Sequence, residues 1–92
     1  MKQILFRKEA ESDLRDIIVF YEDVAPQAVD NILNDIYRSV DQLAHFPHLG
    51  MQVEHRKYRR IVTLKYHFKI AYQADGNSVI ILGIFRYQDR EV

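Results

Sequence analysis

Ninety-two residues, 48% of them apolar and with a formal net charge of zero, make one core and leave no room for a second. The apolar share excludes the disordered class, and the absence of cysteine excludes a disulfide framework and thiolate chemistry. The longest uncharged apolar stretch, residues 79–85, is far short of the roughly 20 that span a bilayer. The first seven residues lack the apolar run and flanks of a signal peptide, so a cytoplasmic protein with no membrane partner is expected.

The zero net charge hides a split. Up to Pro47 there are five Lys/Arg against nine Asp/Glu; from His48 onward there are eight against four. The two halves therefore carry −4 and +4, an asymmetry that marks an interaction surface for an anionic target or an acidic partner. The plainer alternative is that each half solvates its own exposed face.

In chain order, residues 2–7 alternate weakly and read as a short opening strand. From Glu9 the period changes. Ala10, Leu14, Ile17, Ile18, Tyr21 and Val24 form the stripe of an amphipathic helix, with Glu9, Glu11 and Asp13 complementing the positive end of its dipole. Pro26 suits the first position of a second helix, whose stripe is Val29, Ile32, Leu33, Ile36, Val40, Leu43 and Ala44 and which stops at Phe46-Pro47, with Gly50 just beyond. So short a joint predicts an antiparallel hairpin.

The second half switches to strand chemistry. Residues 58–66 are rich in β-branched and aromatic side chains, and residues 67–74 alternate, with Phe68, Ile70, Tyr72 and Ala74 on one side. Asp75-Gly76-Asn77 predicts a tight turn. Residues 79–85, apolar on both faces, predict a central strand covered on both sides. The expected fold class is α+β, in the order β-α-α-β-β-β, with the helical hairpin packed on one face of a small antiparallel sheet.

The ordered pieces Ala10-Glu11-Ser12-Asp13-Leu14-Arg15-Asp16-Ile17 with Tyr21, Ile36 through Leu43, Pro47-x-x-Gly50, Tyr58-Arg59-Arg60, Tyr66-x-Phe68-x-Ile70-x-Tyr72 and Val79-Ile80-Ile81-Leu82-Gly83-Ile84-Phe85 resemble the ParE/RelE superfamily of type II toxins. They sit nearer its ParE, plasmid-stabilisation branch. The resemblance covers about the whole chain, residues 1–92, as one toxin domain. It implies a growth-inhibiting toxin that binds DNA gyrase and is neutralised by a cognate antitoxin in a hetero-oligomer, with operator DNA reached only through the antitoxin. It implies no cofactor. The acidic hairpin and an exposed edge strand are where the antitoxin is expected to fold on. Two alternatives stay open. One is a RelE-like, ribosome-dependent mRNA endonuclease; the other is a non-toxic interaction module that keeps only antitoxin binding. Family members commonly end the last strand with His or Asp and place Arg two residues later, where this chain has Arg86 and Gln88. RNA-cleaving members carry a Tyr in a C-terminal extension, whereas this sequence stops at Val92 with Tyr87 at the strand end. Binding rather than classical enzymology is therefore expected.

If Phe68, Ile70 and Tyr72 face the helices, the same parity would send Val62, Leu64 and Tyr66 inward and Arg59, Ile61, Thr63 and Lys65 outward, although a bulge would flip part of this. The expected target-binding cations are Arg59, Arg60, Lys65, Lys69 and Arg86, able to neutralise phosphates or a developing phosphorane charge. Acid–base candidates for the nuclease alternative are Lys69, Arg86, Tyr87 and His67, and the spacing selects none of them. Several features read more plainly. His45, His48 and His55 match no zinc spacing, so no metal site is expected. His67 is as readily a solvated histidine, and Arg56-Lys57-Tyr58-Arg59-Arg60 is either a nucleic-acid patch or a solvated edge. Most of the six tyrosines belong to packing.

Overall fold

A computed structural model describes residues 1–86. The chain runs β1 (Gln3–Phe6), α1 (Lys8–Val24), a single 3-10 turn (Pro26–Ala28), α2 (Val29–His45), β2 (Met51–Gln52), β3 (Arg59–Val62), β4 (Lys69–Asp75) and β5 (Ser78–Phe85). Both helices are 17 residues long and lie where the 3.6-residue stripes put them. Pro26 opens the 3-10 turn instead of α2 itself, which starts at Val29.

The five strands form one sheet in the order β1-β5-β4-β3-β2. β1 runs parallel to β5 and every other pair is antiparallel, so the sheet is mixed where an all-antiparallel one was expected. The opening strand forms one edge of the sheet, beside the last strand of the chain rather than beside its neighbours in sequence. β5 is paired on both sides, with β1 and β4, so it lies inside the sheet, next to the central strand β4.

The hairpin covers only one sheet face. Ile17, Ile32, Ile36, Val40 and Leu43 from the helices meet Phe68, Ile70, Tyr72, Val79, Ile81 and Ile84 from the sheet in one buried cluster. Tyr21 of α1 sets its ring edge-on to Phe68, with centroids 6.1 Å apart. The alternation of β5 breaks once. Ala71 pairs with Gly83 but Tyr72 pairs with Ile81, so Leu82 is the extra residue of a bulge. The bulge lets both Ile81 and Ile84 reach the core although they are three residues apart. On the opposite face Ile80, Leu82 and Phe85 are only half-buried, so β5 is covered on one side and not on both.

β3 was expected to extend through Tyr66 but ends at Val62. The cause lies thirty residues away on α2, where Asp35 is buried at the sheet end. Its carboxylate accepts the backbone N–H groups of Lys65 (3.1 Å) and Tyr66 (2.8 Å), and it is also hydrogen-bonded to Thr63. Those N–H groups are thereby taken from a strand ladder. Thr63 and Phe68 close the turn, through Thr63 N–H to the Phe68 carbonyl and Phe68 N–H to Thr63 Oγ1, both 2.9 Å. Burial pushes the Asp35 carboxyl up, but the hydrogen bonds and the Lys65 charge outweigh it and hold the group below the ordinary carboxylate range.

The Pro47-x-x-Gly50 segment is fixed to the sheet by Tyr72. Its hydroxyl accepts from Gly50 N–H (2.8 Å) and donates to the Pro47 carbonyl (2.9 Å). A Cβ on Gly50 would lie 2.7 Å from the Tyr72 ring and 2.8 Å from Ile61 Cγ2, so the close approach itself requires glycine.

Candidate target-binding surface

The register decides which side chains share the uncovered sheet face, because residues directly opposite one another point the same way. Ile61 lies opposite Ile70, and Val62 opposite Lys69. An even-numbered residue of β3 thus faces an odd-numbered residue of β4, and the inward–outward assignment made from equal parity is inverted. Ile61 packs against the core and Thr63 is fully buried, whereas Val62, Leu64 and Tyr66 are exposed.

The inversion disperses the expected cation cluster. Arg60, opposite Ala71, stays on the open face. Arg59, opposite Tyr72, turns to the helix side, where its guanidinium donates to the Gly50 carbonyl at 2.8 Å. Lys69 is on the open-face register between Val62 and Phe85 yet only 8% exposed. Lys65 and His67 sit exposed on the turn that Asp35 holds, with His67 in the left-handed region at φ 59°. Arg86 stacks over the Phe20 ring of α1, 4.4 Å from its centroid. Tyr87 lies outside the described residues. Arg59, Arg60, Lys65, Lys69 and Arg86 therefore do not form one cluster.

What the open face gathers instead is a shallow depression of ≈ 380 Å³ lined by Arg7, Arg56, Tyr58, Ala71, Leu82, Gly83 and Phe85. Its floor is apolar because the β5 bulge turns Leu82 outward and the neighbouring strand contributes Ala71. Its rim is basic because Arg7, which also meets Glu9 at 3.4 Å, joins β1 to α1, and the β2–β3 turn carries Arg56. Arg60 lies alongside, opposite Ala71. Sequence reasoning passed over Arg7 and took Arg56 only as one member of a basic run. The available signal was the correct parity, which places Tyr58 and Arg60 together on the outer side.

At the other end of β5 the helix layer reaches in. Asp13 of α1 accepts the Ile84 N–H at 3.0 Å, and with Asp16, Ile17, Phe20 and Arg86 it borders a notch of ≈ 310 Å³. Burial raises the Asp13 carboxyl above the ordinary value; the Ile84 hydrogen bond opposes this, and Asp16 and Glu9 add to it. The charge split of the sequence thus becomes a split between layers. Six of the eight charged residues of α1 are acidic, while the open sheet face is rimmed by arginine. Among the described residues no three His, Asp or Glu side chains gather as metal ligands, and no helix is long and apolar enough to cross a membrane.

Comparison with curated proteins gave no match. Among solved structures the chain is similar to one from the chromosomal ParDE TA system of P. aeruginosa, at TM-score 0.80 and 22% identity over 96% of this chain and 98% of that one. It is also similar to a chain of the intact E. coli RelBE toxin–antitoxin complex, at TM-score 0.65 and 11% identity over 98% and 100%. The solution structure of the conserved hypothetical protein HP0894 from Helicobacter pylori follows, at 0.64 and 14% over 97% and 98%. These likenesses establish the fold. Residues 4–90 match the family described as the ParE toxin of the type II toxin–antitoxin system parDE, and the chain belongs to that family.

Proposed function

We propose that this protein is the toxin of a type II toxin–antitoxin pair, acting in the cytoplasm, that arrests growth by binding DNA gyrase through its open sheet face and is held off by a cognate antitoxin. The observation that carries this reading is the apolar depression rimmed by Arg7 and Arg56, with Arg60 beside it. Basic residues around an apolar floor are the composition of a protein-binding surface with arginine anchors. Ribonuclease chemistry would need a titratable acid–base pair aimed at the same place. Among the described residues no His, Asp or Glu lines the depression, and His67 sits on the turn beyond β3. The target-binding residues are accordingly Arg7, Arg56 and Arg60 with Lys69 beside them. Arg59 and Arg86 hold the Pro47–Gly50 segment and the end of β5.

Induction in a bacterial host, with and without the adjacent reading frame, tests the proposal. Filamentation with SOS induction, together with loss of gyrase supercoiling by purified toxin, is the expected result. Rapid message cleavage would replace the reading with the endonuclease, and no arrest would leave an interaction module. The triple variant R7A/R56A/R60A is expected to lose toxicity while staying folded and still binding antitoxin. Undiminished toxicity in that variant would remove the open face from the mechanism.

A further inference from the structure

β1 is an edge strand without the usual protections. Gln3–Phe6 contains no charged residue, no proline and no bulge, the devices that keep sheet edges from pairing with other chains. Gln3 N–H is bonded to the Asn77 carbonyl and Arg7 N–H to the Ile81 carbonyl, so the odd-numbered residues of β1 turn their backbone groups toward β5. The N–H and C=O of Ile4 and Phe6 therefore point out of the sheet. Beside them lies a groove of ≈ 550 Å³ between β1 and α2, lined in part by Ile4, Phe6, Tyr37, Arg38 and Asp41. Tyr37 is 47% exposed, and Leu5, on the open face opposite Ile80, is 42% exposed.

We propose that this edge pairs with the same edge of a second copy of the chain, β1 against β1 and antiparallel about a twofold axis. The outward backbone groups fit one another: Ile4 exchanges hydrogen bonds with Phe6 of the partner subunit, and Phe6 with Ile4 of the partner subunit. Leu5 then lies at the axis and meets Leu5 of the partner subunit as a non-hydrogen-bonded pair, with Cα atoms about 4.5 Å apart. Lys8 begins α1 and leaves the sheet, so the pairing ends with Arg7 opposite Gln3 of the partner subunit. Charge selects the same occupant. Lys2 N–H is bonded to the Ala44 carbonyl, while Ile4 and Phe6 share the groove with residues one and two turns earlier in α2. β1 and α2 thus run in opposite directions, and Leu5 is level with the turn between Arg38 and Asp41. A twofold axis through Leu5 sets Arg38 of each copy toward Asp41 of the other. An acidic or basic partner would meet a like charge at one of the two, whereas an antiparallel copy of the same helix meets neither. Such an isologous contact closes at two subunits. The axis is normal to the sheet, so both open faces stay on one side and two five-stranded sheets become continuous. The pairing does not depend on the toxin reading, and it presents a target with two basic depressions at once.

The test uses the full-length protein. It has no cysteine, so L5C introduces a single thiol at the axis, within the roughly 4.4–6.8 Å between Cα atoms that a disulfide spans. Mild oxidation is expected to convert L5C to a covalent dimer. Q3C, exposed on the same face but about 13 Å from its counterpart across the axis, is expected to stay uncrosslinked. Sedimentation of the wild type should show a monomer–dimer equilibrium with Kd between about 1 µM and 1 mM. L5K, which sets two ammonium groups at the axis and leaves the core untouched, should weaken it at least about tenfold, with circular dichroism checking the fold. R38D should weaken it and R38D/D41R restore it, a reversal that loss of fold cannot produce. A wild type that stays monomeric up to about 1 mM, or equal crosslinking of L5C and Q3C, would overturn the proposal. Undiminished dimerisation of L5K would move the interface to another surface and reject this one. A monomeric wild type whose binding to the product of the adjacent reading frame is lost in L5K would assign the edge to that partner and reject the second copy.

Discussion

Replacing Asp35 by alanine removes the one side chain that ends β3 and shapes the turn after it. Two backbone N–H groups, at 3.1 and 2.8 Å, and the Thr63 hydrogen bond lose their acceptor together. Bonds to a charged acceptor contribute about 1.5–3 kcal/mol each when buried. Lys65 and Tyr66 are themselves exposed, so water regains part of that, and a net loss of about 2–3 kcal/mol is expected at pH 7. For a domain of this size the loss lowers Tm by roughly 10–20 °C. The pH dependence separates this account from simple loss of packing. A carboxyl held below its ordinary value in the fold stabilises above its unfolded pKa, about 3.9, and that contribution is lost as pH falls through the folded value. Urea unfolding of wild type and D35A at pH 7 and pH 3 should therefore show a gap that is smaller at the lower pH. A gap of equal size at both values, or none at pH 7, would refute the reasoning.

Asp13 should behave with the opposite sign. Its carboxyl is raised by burial, so its contribution is full below the unfolded pKa and is lost as pH rises through the folded value. D13N, which keeps an acceptor for Ile84 N–H, is expected to be neutral or slightly stabilising at pH 7 and to flatten that part of the stability–pH curve; an unchanged curve counts against the assignment. Gly50→Ala should cost about 2–4 kcal/mol in chemical denaturation, because its Cβ would sit 2.7 Å from Tyr72 and force apart the hydrogen bonds to Gly50 and Pro47. Y72F, which keeps the ring and loses only the hydroxyl, should cost less, about 1–2 kcal/mol. A larger loss in Y72F than in G50A would show that crowding is not what selects the glycine.

Much of the architecture is written locally. The stripes at Ile32, Ile36, Val40 and Leu43 and at Phe68, Ile70 and Tyr72 predict which faces are buried, and the Asp75-Gly76-Asn77 turn closes β4 onto β5 with Gly76 at φ 55°. What escaped sequence reading depends on distant partners. No local pattern says that β1 will lie parallel to β5, since its four residues alternate equally well in either direction. The end of β3 is set by a carboxylate on α2, and its parity by the length of the turn that carboxylate shapes. One shift of register sent Arg59 inward, and Arg7 joins the site only through the pairing of β1 with β5, so the candidate site was the part least legible. Periodicity gives a strand two faces and does not label them.

The pairing of Gln3 with Ser78 and Phe6 with Ile81 also has a consequence in time. The first strand to leave the ribosome has its sheet partner near the other end of the chain, and no contact between neighbouring segments can substitute for it. Long-range pairing of this kind closes late, after the local helices and the β4–β5 hairpin have formed. The basic face is framed by Arg7 on one side of β5 and Arg56 on the other, so it is assembled only when that last strand slots between them. A partially synthesised copy that lacks β5 therefore carries the helices but not the basic face.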